Sequence, residues 1–573
     1  MRLKPLRWMA AACGLLVALT TAPWARAQIN RSDAPSEMKP LAIVAFAGYD
    51  ELMKDVDFLG GLGGQPQASQ NIEQMLMMFT QQQGLAGLDK SKPIGAIVQS
   101  DGQMPSGAVC LPVTDLDALL QVLAPFGITS EDAGDGLLQI KAQGQGVFAK
   151  QADGWVMLSI APDMLAAMPA DPSALLTALT DQYDLAVEVS VQNMPAAYKE
   201  MAVSAMSEGA KQGLAKKADE SDEAFAQRQE AVNMQLGELQ RFFNELDKFT
   251  FGLAVDGEEK RAFLDVAYTA VPGTKLATDL AALGESKTNF AGFIQDDAAA
   301  TLSFAQKITG ADAAQLDQMI QTLRTQADKA IDDESELKSD TSRDAMKAAF
   351  SDFIDALDAT LKAGVIDGGA TLKVSPEALT FVAGGFIADP SKVESGLKKI
   401  AEVAKEEEGE KVPEIKWAAE TQGEVTFHTM SIPVPEGEEE ARKLFGENLD
   451  LAVGIGKEAV YFGAGRDCIA AVNNVIELSA ASPAKPTLPM ALTIALGQIM
   501  NTAKEMAPAS EKPQIEMVSE MLNNEAAGKD HVKMVAEPIE NGIRMRIEAE
   551  EGVLRAIGMA AMQAQMQAAG AGF

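Results

Sequence analysis

The sequence predicts an α+β protein, internally duplicated into two homologous halves, each with two β-α-α-β-β-α units whose antiparallel sheets carry helices packed on them. Three observations lead there. The same order of elements recurs four times along the 573 residues. Strand segments such as GATLKVS (369–375) and RMRIEAE (544–550) alternate apolar and polar residues, as suits a sheet buried on one face and wetted or helix-covered on the other. The strand pairs are joined by turn dipeptides, Asp101-Gly102, Asp256-Gly257 and Asn541-Gly542, with Ser375-Pro376 in the third copy. Gly and Asn tolerate the positive φ that tight hairpin turns require.

Taken in order, residues 1–27 have a basic start, an apolar middle and the small-x-small ending Ala25-Arg26-Ala27, which predicts a secretory signal peptide. Cys13 precedes most of the apolar stretch and no lipobox leads into it, so soluble export is expected instead of lipid attachment. A linker, 28–39, follows. The first half, 40–284, holds units 41–125 and 184–284; the second, 287–573, holds units 289–405 and 488–568. Each unit is expected to open with a strand, a turn and a helix: LAIVAFAGYDELMKDV (41–56), LAVEVSVQNMPAAYKEM (185–201), NFAGFIQDDAAATLSFA (289–305) and MALTIALGQIMNTAKEM (490–506).

Between units lie connector hairpins, GLLQIKAQGQGVFAKQADGWVMLSI (136–160), EIKWAAETQGEVTFHTMSIPV (414–434) and LDLAVGIGKEAVYFGA (449–464). Residues 147–168 match 451–472 without a gap, and 185–201 match 490–506 at nearly the same offset, which is the argument for duplication. The charged, amphipathic segments 194–248 and 311–364 predict helical hairpins. Asp50, Asp115, Asp163, Asn193, Asp296, Asp389 and Asp467 stand where strand gives way to helix. Short polar side chains there read as N-caps and not as catalytic groups.

Chemistry-bearing patterns are scarce. GIGKEA (454–459) fits a loose dinucleotide pattern, but a strand and not a helix follows it, so a hairpin turn is expected. The two histidines, His428 and His531, lack ligand neighbours at metal spacing and read as satisfied strand residues. DDESE (332–336), KEEEGEK (405–411) and EGEEE (436–440) lack the alternating ligands of a calcium loop and read as solvated loops or helix starts. No nucleophile elbow occurs. Cys110 and Cys468, the two cysteines left after cleavage, sit among apolar neighbours and read as free buried thiols. Methionine is abundant, at 28 residues, with QMLMMF (74–79) and a stripe of Met559, Met562 and Met566. Core filler is the leading reading, with a compliant apolar binding surface and copper(I) ligation as the alternatives.

Without the signal the chain has 44 Lys and Arg against 82 Asp and Glu, a formal charge of −38 that repels nucleic acid and anionic lipid. No later apolar run approaches the ~18 residues that span a bilayer. LAIVAFAGYDEL, GAVCLPVTDLDALLQVL and DGWVMLSIAPDML, behind a signal peptide, resemble large uncharacterised secreted bacterial proteins built from repeated α+β units. That resemblance implies no activity. The expectation is a secreted or periplasmic, non-catalytic binding or interaction protein whose partner is an unknown protein or apolar ligand. A carrier of apolar ligands through Met-rich surfaces and a carboxylate-based hydrolase with a site between the halves are the alternatives. No residue is assigned a catalytic, cofactor-binding or metal-ligating role.

Overall fold

The structure, a computed structural model, describes residues 38–570 apart from 143–144, 213, 215, 217–220, 309–312, 335–336, 338, 410–411, 509 and 527. The predicted signal peptide, 1–27, and all but the last two residues of the predicted linker, 28–39, lie outside them. The chain is α+β and divides into two compact units, Met1–Ala277 and Thr278–Phe573.

In chain order the first unit comprises β1 (Lys39–Phe46), α1 (Tyr49–Leu62), α2 (Ala68–Phe79), β2 (Ile94–Ser100), β3 (Pro105–Pro112), α3 (Leu116–Leu123), β4 (Ile128–Gly134), β5 (Leu137–Ala142), β6 (Gln145–Ala152) and β7 (Trp155–Ser159). It continues through α4 (Pro162–Ala166), α5 (Ser173–Thr180), β8 (Leu185–Ser190), α6 (Ala196–Gln212), α7 (Asp222–Glu245), β9 (Leu246–Asp256) and β10 (Arg261–Ala270) to α8 (Lys275–Leu283), which crosses the division. Its strands pair antiparallel in the order β10-β9-β8-β1-β2-β3-β7-β6-β5-β4.

The second unit runs β11 (Lys287–Thr288), β12 (Ala300–Lys307), α9 (Ala313–Asp332), α10 (Asp340–Lys362), β13 (Val365–Ser375), β14 (Ala378–Phe386), α11 (Pro390–Glu408), β15 (Ile415–Gln422), β16 (Val425–Pro433), α12 (Glu439–Phe445), β17 (Asn448–Ile455) and β18 (Ala459–Gly465). Then come α13 (Cys468–Ala480), β19 (Lys485–Pro486), β20 (Met490–Ala495), α14 (Leu496–Met506), α15 (Lys512–Asn524), β21 (His531–Ile539), β22 (Gly542–Glu550) and α16 (Glu551–Gly570). Its antiparallel order is β22-β21-β20-β12-β13-β14-β18-β17-β16-β15. Position for position this is the strand order of the first unit; β11 and β19 form a separate short pair.

Alternation along the strands sends side chains to both faces, and helices cover both. In the first unit Trp155, Met157, Leu165, Leu176 and Ile97 form a fully buried cluster beneath α4 and α5. Across the sheet, Leu116 and Leu119 of α3 meet Ala149 and Val156. In the second unit Phe293, Phe427, Val472 and Val475 form the corresponding core under α13. Cys110 and Cys468 are free and buried in these cores, and burial pushes their thiols up to about 12 and about 11.

Several expectations give way. NFAGFIQDDAAATLSFA is no strand followed by a helix: Ala291–Phe293 form a single 3₁₀ turn, and the strand starts at Ala300. Phe290 and Phe293, three apart, plug the core under α13, so their apolar run belongs to a buried turn, and Asp296 has no helix to cap. Of the seven expected caps, Asp115 alone accepts a hydrogen bond from a first-turn backbone amide, Ala118 N at 3.0 Å. Pro162 occupies the first position of α4 and leaves Asp163 inside the first turn, while Gly48 precedes α1 and leaves Asp50 likewise inside. Asp467 and Asp389 stand at the N-cap positions of α13 and α11 without capping bonds. Asn193 instead donates to the Pro40 carbonyl at 2.7 Å. Strand β4, whose sequence ITSEDAG is almost wholly exposed, has no apolar face to announce it.

The methionines divide. Met75, Met77 and Met78 of α2 are exposed, by 40, 43 and 68 %, so they are not core filler. In α16, Met559 is half-buried and Met562 exposed; the Met566 side chain lies outside the described ones.

Candidate apolar binding cleft

Helix α11 carries two apolar stripes. Val403 packs with Ile331 and Leu337, and Gly396 lies so close to α10 that a Cβ there would meet Phe353 Cε1 at 2.7 Å and the Ala349 carbonyl at 3.0 Å. Lys392 and Lys399 pair with Asp352 of α10, and Lys392 also reaches Asp355, which Arg324 of α9 holds as well. Burial pushes Asp352 up, but hydrogen bonds from Lys399, Ser395 and Lys392 outweigh it and hold the carboxyl below its ordinary value. The helix is thus tied to its helical neighbours.

The second stripe, Leu397, Ile400, Ala401 and Ala404, has the i, i+3, i+4, i+7 spacing of one helical face. It looks across a cleft of about 380 Å³ at Ile415, Trp417, His428, Met430, Leu451, Val453 and Phe462 of β15–β18. That volume lies at the low end of the ~300–1,000 Å³ typical of small-molecule sites. Trp417 and Phe462, each 37 % exposed, sit at its mouth.

Backbone geometry places the polar groups. Strand β15 loses register with β16 between Lys416 and Glu420, and Ala418 in this bulge has φ 49°. A non-glycine residue there costs roughly 1–2 kcal/mol. The bulge aims the Ala418 N–H at His428 Nδ1, 3.0 Å away, and sets the Trp417 ring edge-on to the imidazole at 5.0 Å between centroids. His428 is buried, and its Nε2 has no hydrogen-bond partner among the described residues; the Glu394 carboxylate of α11 stands 3.4 Å off. Burial lowers the His428 pKa, Glu394 raises it in part, and Lys398 lowers it. Lys398 donates to Glu394 at 2.6 Å and lies 5.7 Å from the Trp417 ring centre. His428 is therefore a strand histidine, as expected, but not a satisfied one. His531 is satisfied, with Nδ1 2.9 Å from a Glu550 oxygen.

Two further clefts carry more polar groups. One of about 460 Å³ is lined by Glu420, Asp450, Asp467 and Asn473; another of about 380 Å³ by Lys373, Arg466 and Asn474. GIGKEA forms the expected β17–β18 turn, with Gly456 N–H donating to the Ala459 carbonyl, and strand β18 follows it. In the first unit two half-buried carboxyls meet: Asp55 of α1 lies beside Asp184, whose Oδ2 accepts from Val255 N at 2.6 Å. Burial, then the Asp184 and Glu51 charges, push Asp55 up to about 7. None of the three clefts includes either carboxyl.

Among the described residues no group of three or more His, Cys, Asp or Glu converges as metal ligands, and no helix is long and apolar enough to cross a membrane. No protein-family model, curated protein or solved structure matches the chain. The cleft was missed in the sequence because its two walls, 397–404 and 415–462, belong to different elements that no local pattern links. The available signal was the second apolar stripe on 390–408, one more than packing against a single neighbour requires.

Proposed function

We propose that this is an exported, non-catalytic binding protein that takes a small apolar ligand between α11 and β15–β18. The apolar cleft carries the reading: hydrocarbon lines it, exposed aromatics frame its mouth, and one buried polar side chain stands in its wall. Export is supported by the signal-like character of residues 1–27. Descent of the two halves from one ancestor is supported by their common strand order together with the matched segments 147–168 and 451–472.

The test is to fill the cleft. Ala401→Leu with Ala404→Leu should abolish binding of the neutral dye N-phenylnaphthylamine while raising the Tm, since filling a cavity commonly adds about 0.5–2 kcal/mol. Native mass spectrometry of gently purified protein should show a co-purifying apolar molecule, lost from the double variant. Equal dye affinity in the two proteins would remove the cleft from consideration. A second reading, binding through a Met-rich face, is favoured by the exposure of Met75, Met77 and Met78 on α2. It predicts that dye binding survives the double variant and falls when these three become glutamine.

A further inference from the structure

Resting on the apolar-cleft reading, we propose that the ligand carries one neutral hydrogen-bond acceptor, a carbonyl oxygen on an aliphatic body, received by the Nε2–H of His428. Burial keeps the imidazole neutral at pH 7, and its Nδ1 already accepts the Ala418 N–H. A neutral ring that accepts at one nitrogen carries its proton on the other. Nε2 is thus a donor, held in a residue only 5 % exposed and without a hydrogen-bond partner among the described residues. A buried donor left unpaired is unfavourable, and a ligand acceptor removes that penalty.

The surroundings select the kind of acceptor. Glu394 Oε1 covers Nε2 at 3.4 Å but does not bond it, being engaged by Lys398 at 2.6 Å. Its side chain is 30 % exposed, and a turn toward solvent together with Lys398 admits the ligand oxygen. A ligand carboxylate would be brought beside that carboxylate, whereas a ketone, ester or amide carbonyl meets no such repulsion. The donor is built in, because the Ala418 bulge that orients the ring holds a backbone conformation with its own cost. In the first unit, Leu138 stands opposite Ala149 in β6 as His428 stands opposite Val453 in β17, and it offers no donor.

The experiment uses the full chain, N-phenylnaphthylamine as reporter, and three competitors of equal length: nonane, heptyl methyl ketone and nonanoate. The ketone should bind about 2- to 10-fold more tightly than nonane, the range expected of one net hydrogen bond, and more tightly than nonanoate. His428→Leu should keep nonane binding and lose the preference for the ketone. With ¹⁵N-histidine labelling only two side chains report, His428 and His531. The ketone should shift the protonated Nε2 of His428 and leave His531 unmoved, a readout available even where the leucine variant fails to fold. Equal binding of all three competitors, a ketone preference that persists in His428→Leu, or tighter binding of nonanoate overturns the carbonyl assignment alone. No dye binding, or no displacement by any competitor, overturns it together with the apolar-cleft reading.

Discussion

Helix α3 over β5–β7 and helix α11 over β16–β18 hold the same place in their strand orders, yet one contact is filled and the other hollow. On α3 the stripe facing the sheet is Leu116, Leu119, Leu120 and Leu123, packed on Leu138, Ile140 and Leu158. On α11 the same spacing reads Leu397, Ile400, Ala401 and Ala404, opposite His428, Met430 and Phe462. Two alanines stand where leucines fill the first unit, and a histidine where Leu138 stands. Trimming leucine to alanine leaves a void when the surroundings do not collapse. They do not collapse here because α11 leans on α10. Its stripe begins eight residues after Asp389, against one after Asp115, and the added turns carry Lys392, Glu394 and Gly396. A cleft thus needs both small side chains and an outside support that keeps the helix from settling.

The support is the part whose removal matters most. Gly396→Val forces a side chain into Phe353 and the Ala349 carbonyl; it should cost about 2–3 kcal/mol and abolish dye binding, read by thermal unfolding and titration. An unchanged Tm would show that α11 does not depend on α10. Exchanging the wall residues tests the filled side against the hollow one. Leu138→His should lose about 2 kcal/mol by putting a half-buried, unpaired imidazole in place of a packed leucine, whereas His428→Leu should change stability by less than about 1 kcal/mol, since the exposed Ala418 N–H turns to water. Equal losses would mean that the two walls are equally packed.

The helix starts differ more modestly. Asp115→Ala removes a real cap and should cost about 1 kcal/mol. Asp389→Ala, which removes no capping bond, should cost under roughly 0.5 kcal/mol, both read from denaturant midpoints. The smallest effect is in pH. Because burial lowers the folded pKa of His428, its contribution to stability is complete above the ordinary value of about 6.5 and is lost as pH falls toward the folded value. Wild-type protein should therefore show a shallow decline below that pH that His428→Leu lacks; identical profiles would place the imidazole in a more solvated setting than the cleft wall.

Local chemistry determined much of this protein from the sequence alone. Alternation and turn dipeptides marked the strands of both units, as at Asn541-Gly542, where Asn541 adopts φ 53°, and the apolar settings of Cys110 and Cys468 marked them as free buried thiols. These features depend on neighbours a few residues away, so they are written in short stretches of chain. The edge strand β4 lacked such a pattern because neither of its faces is buried, and Phe290 and Phe293 misled because an apolar run suits a buried turn as well as a strand. Tertiary structure alone decided the cleft. His428 reads as an ordinary strand residue until α11 brings Glu394 across from it and the Ala418 bulge occupies its Nδ1. Whether Ala401 and Ala404 pack tightly or leave a cavity depends on where α10 holds the helix, a distance no local pattern encodes.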